Sequence, residues 1–374
     1  MTEAATRDGT RRFRERLVPA IPPQHFREGP GGLTISSIGA GTYLGEPDDA
    51  TDAAYGAALV AALALGTNVL DTAINYRAQR SERVIGLALA TLFAQRELRR
   101  DEVVVCTKGG YLPFDGSSAQ DAARYFYETY VWPGILAAED IVGGCHALAP
   151  RYLLNQIERS LRNLRLEAVD VYYLHNPETQ LTAVDRPEFH ARLGGAFQVL
   201  ERAVAQGKIG CYGVTTWNGF RVAPSAREYL SLVELVELAE REVGKDHHFR
   251  VVQLPCNLAM SEAFTRQNQR VGDHMGSLVE AADGFGITVV ASASLLQGQL
   301  AGRLPEILAE AMDGLETDAQ RALQFVRSTP GITTALVGMR QRVHVEANLA
   351  VARRPPATPA EYLRLFTKSE ATEN

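Results

Sequence analysis

The chain has 374 residues, 46% of them hydrophobic, with 38 Lys and Arg against 44 Asp and Glu for a net charge of −6. That length accommodates one large domain or two ordinary ones around a sizeable core, and the mild negative charge leaves no electrostatic case for nucleic acid or an anionic membrane as the main partner. No apolar stretch reads as a signal peptide or a bilayer span, and the four cysteines (Cys106, Cys145, Cys211, Cys256) form no CxxC pair, so they read as reduced thiols in a cytoplasmic setting.

In chain order, residues 1–30 carry five arginines by Arg16 together with Pro19, Pro22, Pro23 and Pro30, and read as an N-terminal surface arm, with partial disorder as the alternative. Strand-like and helix-like runs then alternate. ISSIGAG precedes an Ala-rich helix at 53–65, and TNVLD precedes SERVIGLALATLFA. EVVVCTK leads through a long segment to RYLLNQIERSLRNL, and VDVYYLH leads to GGAFQVLERAVAQ. KIGCYGVTT precedes a helix near 228–243, and VVQLPCN leads to GSLVEAADGF. ITVVASA precedes two short helical stretches, and ITTALVG precedes QRVHVEANLAVA. The strand-like runs are short, β-branched and unalternated, as expected where both faces are buried. Eight such units favour a closed (β/α)8 TIM barrel as a single domain, placed at 31–353 with a C-terminal tail at 354–374.

A typical barrel needs roughly 250 residues; the excess is assigned to the arm and to inserts at 109–150 and 177–194. The insert at 109–150 follows strand three and is rich in aromatics: Tyr111, Phe114, Tyr125, Phe126, Tyr127, Tyr130 and Trp132. Its length and place predict a lid or pocket wall over the barrel mouth, with ordinary packing under the loop as the alternative. Cys145-His146 and His247-His248 lack metal-ligand spacing and read as loop residues, so no metal site is expected.

The apolar runs close on polar residues, and four of these make a chemically coherent set. Asp71 ends the second run, Tyr76 follows it by five residues, Lys108 ends the third and His175 the fourth. Reducing a carbonyl leaves negative charge on oxygen, and a proton must reach it. A tyrosine with a pKa near 10 serves if a cation lowers that value. Lys108 is the expected cation, Asp71 its partner, Tyr76 the general acid and His175 the group that orients the carbonyl. Taken singly, Asp71 reads equally as a helix cap, Tyr76 as a packed aromatic, Lys108 as a surface cation and His175 as a loop histidine. IGAGTYLG followed by Asp71 imitates a dinucleotide-binding βαβ turn, but the glycine spacing is one residue too long and that reading leaves Lys108 and His175 unexplained.

With these segments in view, the chain resembles the aldo-keto reductase superfamily. DTAINY with SERVIG, VVVCTK, VYYLHNP and GKIGCYGVTTW occur in the family's order, and the resemblance spans 33–351. It implies an NADP(H)-dependent oxidoreductase acting on an aldehyde, ketone or sugar carbonyl, with Asp71, Tyr76, Lys108 and His175 as the tetrad. It implies cofactor contacts from Gly41, Thr42 and Tyr43, from Thr215, Thr216 and Gln253, and from Ser292. It further implies Leu295, Gln297, Gly298 and Leu300 over the pyrophosphate, and Gly338, Arg340, His344 and Asn348 at the adenosine phosphate. Tyr43, Tyr111, Trp132 and Trp217 are expected to line the substrate pocket.

Several positions depart from the family pattern. Ser292 replaces a stacking aromatic, Thr216 an Asn, His344 an Arg or Gln, and Ala347 a Glu. Arg340 favours NADPH over NADH, because a guanidinium suits a 2′-phosphate. The altered nicotinamide contacts keep open a nucleotide-binding regulatory or redox-sensing barrel with little turnover; a non-redox isomerase or lyase barrel is a further alternative. The partner is a small carbonyl or alcohol, and neither its identity, the direction of reaction nor the oligomeric state is legible.

Overall fold

The computed structural model describes residues 4–117, 120–306, 308, 312 and 314–366. Eight parallel strands close into a barrel: β1 Ile38–Gly41, β2 Val69–Asp71, β3 Val104–Gly109, β4 Val169–His175, β5 Ile209–Thr215, β6 Phe249–Pro255, β7 Thr288–Ser292 and β8 Ile332–Gly338. Each pairs with the next, and β8 returns to β1 with Gly338 opposite Gly41. A helix follows each strand on the outside, from Asp49–Ala64 after β1 to Arg342–Leu349 after β8. One core fills the barrel, with Val69, Val104, Cys106, Val171, Tyr173, Val251, Val290 and Leu336. A larger one fills the layer between strands and helices, where Val84, Ile85, Leu89 and Leu92 of Arg80–Ala94 face inward. Burial on both sides explains why these strands read as continuous apolar runs.

The segment that reads as a surface arm closes the barrel floor instead. Arg7–Leu17 is a helix capped by the Thr6 hydroxyl, which accepts from the Gly9 N–H at 2.9 Å. Ala5 N donates to Asp170 Oδ1 at 2.6 Å, and Arg12 pairs with Asp101 at 2.6 Å. Phe13, only 2% exposed, enters the core edge-on to Phe26, a burial that contributes about 1.5–3 kcal/mol. Phe26–Glu28 and Thr34–Ser36 form the antiparallel pair beside it. Residues 1–3, and the expected tail beyond 366, lie outside the described residues; up to that point the tail packs down through Tyr362, whose ring lies 5.1 Å from that of Phe325.

The two expected inserts also resolve differently. Residues 177–194 are not a free loop: Pro177–Thr182 is a 3-10 turn, and the next helix already begins at Arg186, with Asp185 accepting the Glu188 N–H at 3.0 Å. The described residues of 109–150 build a small subdomain with the helix Ala122–Phe126 and a π-helical turn Tyr127–Val131. Its aromatics mostly fill its own interior. Phe114 stacks on Phe126 at 4.9 Å, and Tyr130 meets Tyr152 edge-on at 5.5 Å. The packing alternative therefore accounts for most of the rings expected over the mouth.

Candidate active site

Lys108, at 1% exposure, is a deeply buried charge at the C-terminal rim. A lone ammonium there would cost several kcal/mol. It instead donates to Asp71 Oδ1 and to the Thr72 carbonyl, the latter at 2.8 Å. The second Asp71 oxygen accepts from Gln253 Nε2 at 2.9 Å, and Gln253 Oε1 accepts from the Thr215 hydroxyl at 3.1 Å. The chain of bonds Lys108–Asp71–Gln253–Thr215 thus crosses the mouth from β3 through β2 to β6 and β5. Burial pulls the Lys108 ammonium down, but the charges of Asp71 and Tyr76 and the hydrogen bond to Asp71 prevail and lift it above its ordinary 10.5.

Tyr76 leaves β2 on an unusual turn. Arg77, Ala78 and Gln79 are all left-handed, with φ of 49°, 53° and 70°, at about 1–2 kcal/mol each for non-glycine residues. Ties on both sides offset this. Arg77 donates to the Glu46 carbonyl at 2.9 Å and pairs with Asp52; Gly116 N donates to the Ala78 carbonyl at 2.9 Å; Gln79 donates to the Phe114 carbonyl at 2.8 Å. The turn sets the Tyr76 ring 5.0 Å from Lys108 Nζ, edge-on to Tyr43 at 4.9 Å and to His175 at 5.8 Å. Asp71, Tyr76, Lys108 and His175 therefore come together.

The expected lowering of the Tyr76 phenol does not hold as a net effect. Burial raises it above 10 and outweighs the opposing charge and hydrogen bond of Lys108, even though Tyr76 keeps a partly exposed edge. His175 is held well below 6.5, first by burial and then by the Lys108 charge, so its imidazole is neutral near pH 7. Tyr111 lies edge-on to it at 5.0 Å.

Around the mouth, Tyr43 and Trp217 are 54% and 41% exposed. Trp132 does not join them: it stands 77% exposed at the end of the insert's π-helical turn, just after Val131, and makes no ring contact with the tetrad among the described residues. Gly41 and Thr42 lie at the end of β1, where the Thr42 hydroxyl donates to the Asp71 carbonyl at 3.3 Å. Gly39 and Gly41 sit inside that strand, which removes the dinucleotide-turn reading. Ser292 ends β7, and Leu295, Gln297, Gly298 and Leu300 follow in a turn with Gln297 and Gly298 at φ 55° and 91°. Gly338, which ends β8, and Arg340 and His344 beyond it are exposed, whereas Asn348 is buried. Arg340 borders the β1 loop, near enough to Gly45 that a Cβ there would meet its guanidinium at 3.1 Å.

The residues fit a nicotinamide dinucleotide. Thr216 Oγ1 and Ser294 Oγ, both on loops at the barrel mouth, are buried with no hydrogen-bond partner among the described residues. These neutral hydroxyls beside Gln253 suit a carboxamide, and the exposed Arg340 suits a phosphate. Ser294 escapes the sequence reading, which passes from Ser292 to Leu295. Glu178, three residues past His175, is another omission: it accepts the Trp217 and Asn218 N–H groups at 2.7 and 3.2 Å, while burial pushes its carboxyl up to about 7. The acid in HNPE was the available signal. Among the described residues no group of three or more His, Cys, Asp or Glu is placed to hold a metal, and no helix is long and apolar enough to cross a membrane.

A family model described as "Aldo/keto reductase family" matches residues 37–366. Similar solved structures include an aldo/keto reductase from Klebsiella pneumoniae in complex with NADP and acetate, at 22% identity over 93% of this chain and 98% of that one, with a TM-score of 0.59. A second Klebsiella pneumoniae structure, in complex with NADPH, is 22% identical over 92% and 96% of the two chains, at 0.60. The holo form of an aldo-keto reductase from Bacillus halodurans is 19% identical over 93% and 98%, at 0.62. At such identities the likeness speaks to the fold.

Proposed function

We propose, from the premise that this chain belongs to the aldo/keto reductase family, that it reduces an aldehyde, ketone or sugar carbonyl with NADPH and that Tyr76 is its general acid. The observation that carries the reading is the buried Lys108–Asp71 pair set against the Tyr76 ring, with a neutral His175 on the ring's other flank. The bound nicotinamide supplies the hydride. Tyr76 delivers its proton to the carbonyl oxygen and becomes a phenolate, which the Lys108 ammonium stabilises. Because burial holds the phenol protonated at neutral pH, the ammonium matters chiefly as the proton leaves. Asp71, braced by Gln253, keeps Lys108 charged and aimed. His175 offers an imidazole N–H to the carbonyl and orients it.

Thr215, Thr216, Gln253 and Ser292 are the groups for the nicotinamide end, and Leu295 to Leu300 for the pyrophosphate. Arg340 at the mouth supports NADPH over NADH, as do the NADP and NADPH complexes of the Klebsiella pneumoniae proteins. Tyr43, Tyr111 and Trp217 form the pocket wall. Replacing Tyr76 by Phe tests the assignment: carbonyl reduction, followed by loss of NADPH absorbance, should fall by about 10²–10⁴, with NADPH binding by fluorescence titration nearly unchanged. Wild-type turnover in the Phe variant would remove Tyr76 from the role.

A further inference from the structure

The subdomain at 110–149 carries a histidine that the reaction as described does not use. His146 is fully buried, and its Nε2 lies 2.8 Å from the main-chain carbonyl of His175. Its tautomer follows from its neighbours. Arg192 has only donors, so the Gln180 oxygen faces it at 2.8 Å and the Gln180 amide nitrogen faces His146 Nδ1, also at 2.8 Å. That nitrogen only donates; Nδ1 therefore accepts, the proton resides on Nε2, and Nε2–H donates to the His175 carbonyl. Burial holds His146 down at about 4, so the arrangement is neutral and constant near pH 7.

His175 needs such a support. Its Nδ1 is buried with no partner among the described residues, so no side-chain hydrogen bond from them orients the ring at that nitrogen. What touches the ring is aromatic: Tyr111 stands edge-on to His175 at 5.0 Å and edge-on to His146 at 4.9 Å. Tyr111 and His146 are joined by an antiparallel bridge, and Ala147 N donates to the Gly110 carbonyl at 2.9 Å. Gly110 has φ +137°, and a Cβ there would come within 2.9 Å of His146 Nε2 and 3.1 Å of the His175 carbonyl. The crossing is as close as the backbone allows.

Resting on the role given to His175 above, we infer that His146 is a positioning residue for His175, and that the insert is a fixed part of the active site rather than a movable cover. His146 holds the main chain beneath the imidazole while its bridge partner Tyr111 holds the ring.

The test compares wild type, His146→Phe and His146→Gln in steady-state reduction of para-nitrobenzaldehyde by NADPH, with NADPH affinity from fluorescence titration. Phe keeps the ring and removes the donor: kcat should fall roughly ten- to a hundredfold, the scale for a misplacement of about 1 Å. The NADPH dissociation constant should stay within about twofold of wild type. Gln, which restores an N–H near the same place, should recover about a third of kcat or more. Wild-type kcat in His146→Phe overturns the inference, as does a parallel loss of kcat and cofactor affinity that Gln does not rescue. Imidazole nitrogen NMR of the wild-type enzyme decides even if the variants do not fold: a protonated Nδ1 on His146 excludes the bond to His175. A wild type that reduces no carbonyl in a broad panel would fail the functional reading, whereas failure of this inference shows only in the variants or the tautomer.

Discussion

Removing the ammonium at position 108 is the sharpest test of the electrostatic argument. In Lys108→Met the stem is replaced by a chain of similar bulk, while the charge 5.0 Å from the Tyr76 ring is lost. At an effective dielectric of about 20, a unit charge at that separation stabilises a phenolate by about 3 kcal/mol, which corresponds to roughly a hundredfold in rate. The same change strands Asp71, leaving its carboxylate with Gln253 as side-chain partner, and breaking a buried pair in this way destabilises by about 3–5 kcal/mol. The two effects separate in the double variant Lys108→Met/Asp71→Asn: stability should return toward wild type, because no charge is left buried, whereas kcat should stay low. The assays are NADPH-linked reduction of an aldehyde and urea unfolding followed by circular dichroism. If Lys108→Met folds and keeps kcat within about threefold of wild type, the phenolate does not depend on the ammonium and the assignment of Lys108 fails.

Three further outcomes follow. Arg340→Ala should raise KM for NADPH roughly ten- to a hundredfold and leave KM for NADH nearly unchanged, since a phosphate–guanidinium contact is worth about 1.5–3 kcal/mol; equal shifts for the two cofactors would remove Arg340 from phosphate recognition. His25 is held at about 3 by burial and the nearby Arg327 charge, and His146 at about 4. The unfolded chain takes up these protons near pH 6.5, so it binds more protons than the native state below that value, and stability falls as pH drops from about 6.5 toward 4. His25→Gln should flatten the dependence of the urea midpoint over that window, and an unchanged slope would refute it. Gly9→Ala would place a methyl 2.0 Å from the Asp101 carbonyl; it should lift the N-terminal helix off the floor and cost about 1–3 kcal/mol in urea unfolding, with KM for NADPH unaltered.

The architecture was largely legible because the barrel strands are largely buried on both faces and several carry a polar residue at or next to one rim. Asp71, Lys108 and His175 announced themselves by those endings, and Tyr76 by its place in DTAINY. The legible part stops where a side chain's meaning depends on something distant in the chain. The charged run RDGTRRFRERL looks like a solvated arm, because the partners of Arg12 and Arg16, Asp101 and Glu102, lie 89 and 86 residues further on. His146 has no periodic pattern around it, and its bond to His175 exists only once the insert has folded on its own aromatic core. Trp132 had the right composition for a pocket wall and the wrong position on its turn. The balance at Tyr76 between desolvation and the Lys108 charge is a matter of packing density, which spacing along a sequence does not encode.

The plugged floor also decides how this protein can be handled. The helix Arg7–Leu17 pairs through Arg12 with Asp101, which precedes β3, and Ala5 just ahead of it bonds Asp170 near the start of β4, at the end of the barrel away from Tyr76. A tether or fusion partner joined ahead of Thr6 leaves from that closed end. On a bead or sensor chip the open rim would then face the solution, with substrate and nucleotide free to come and go.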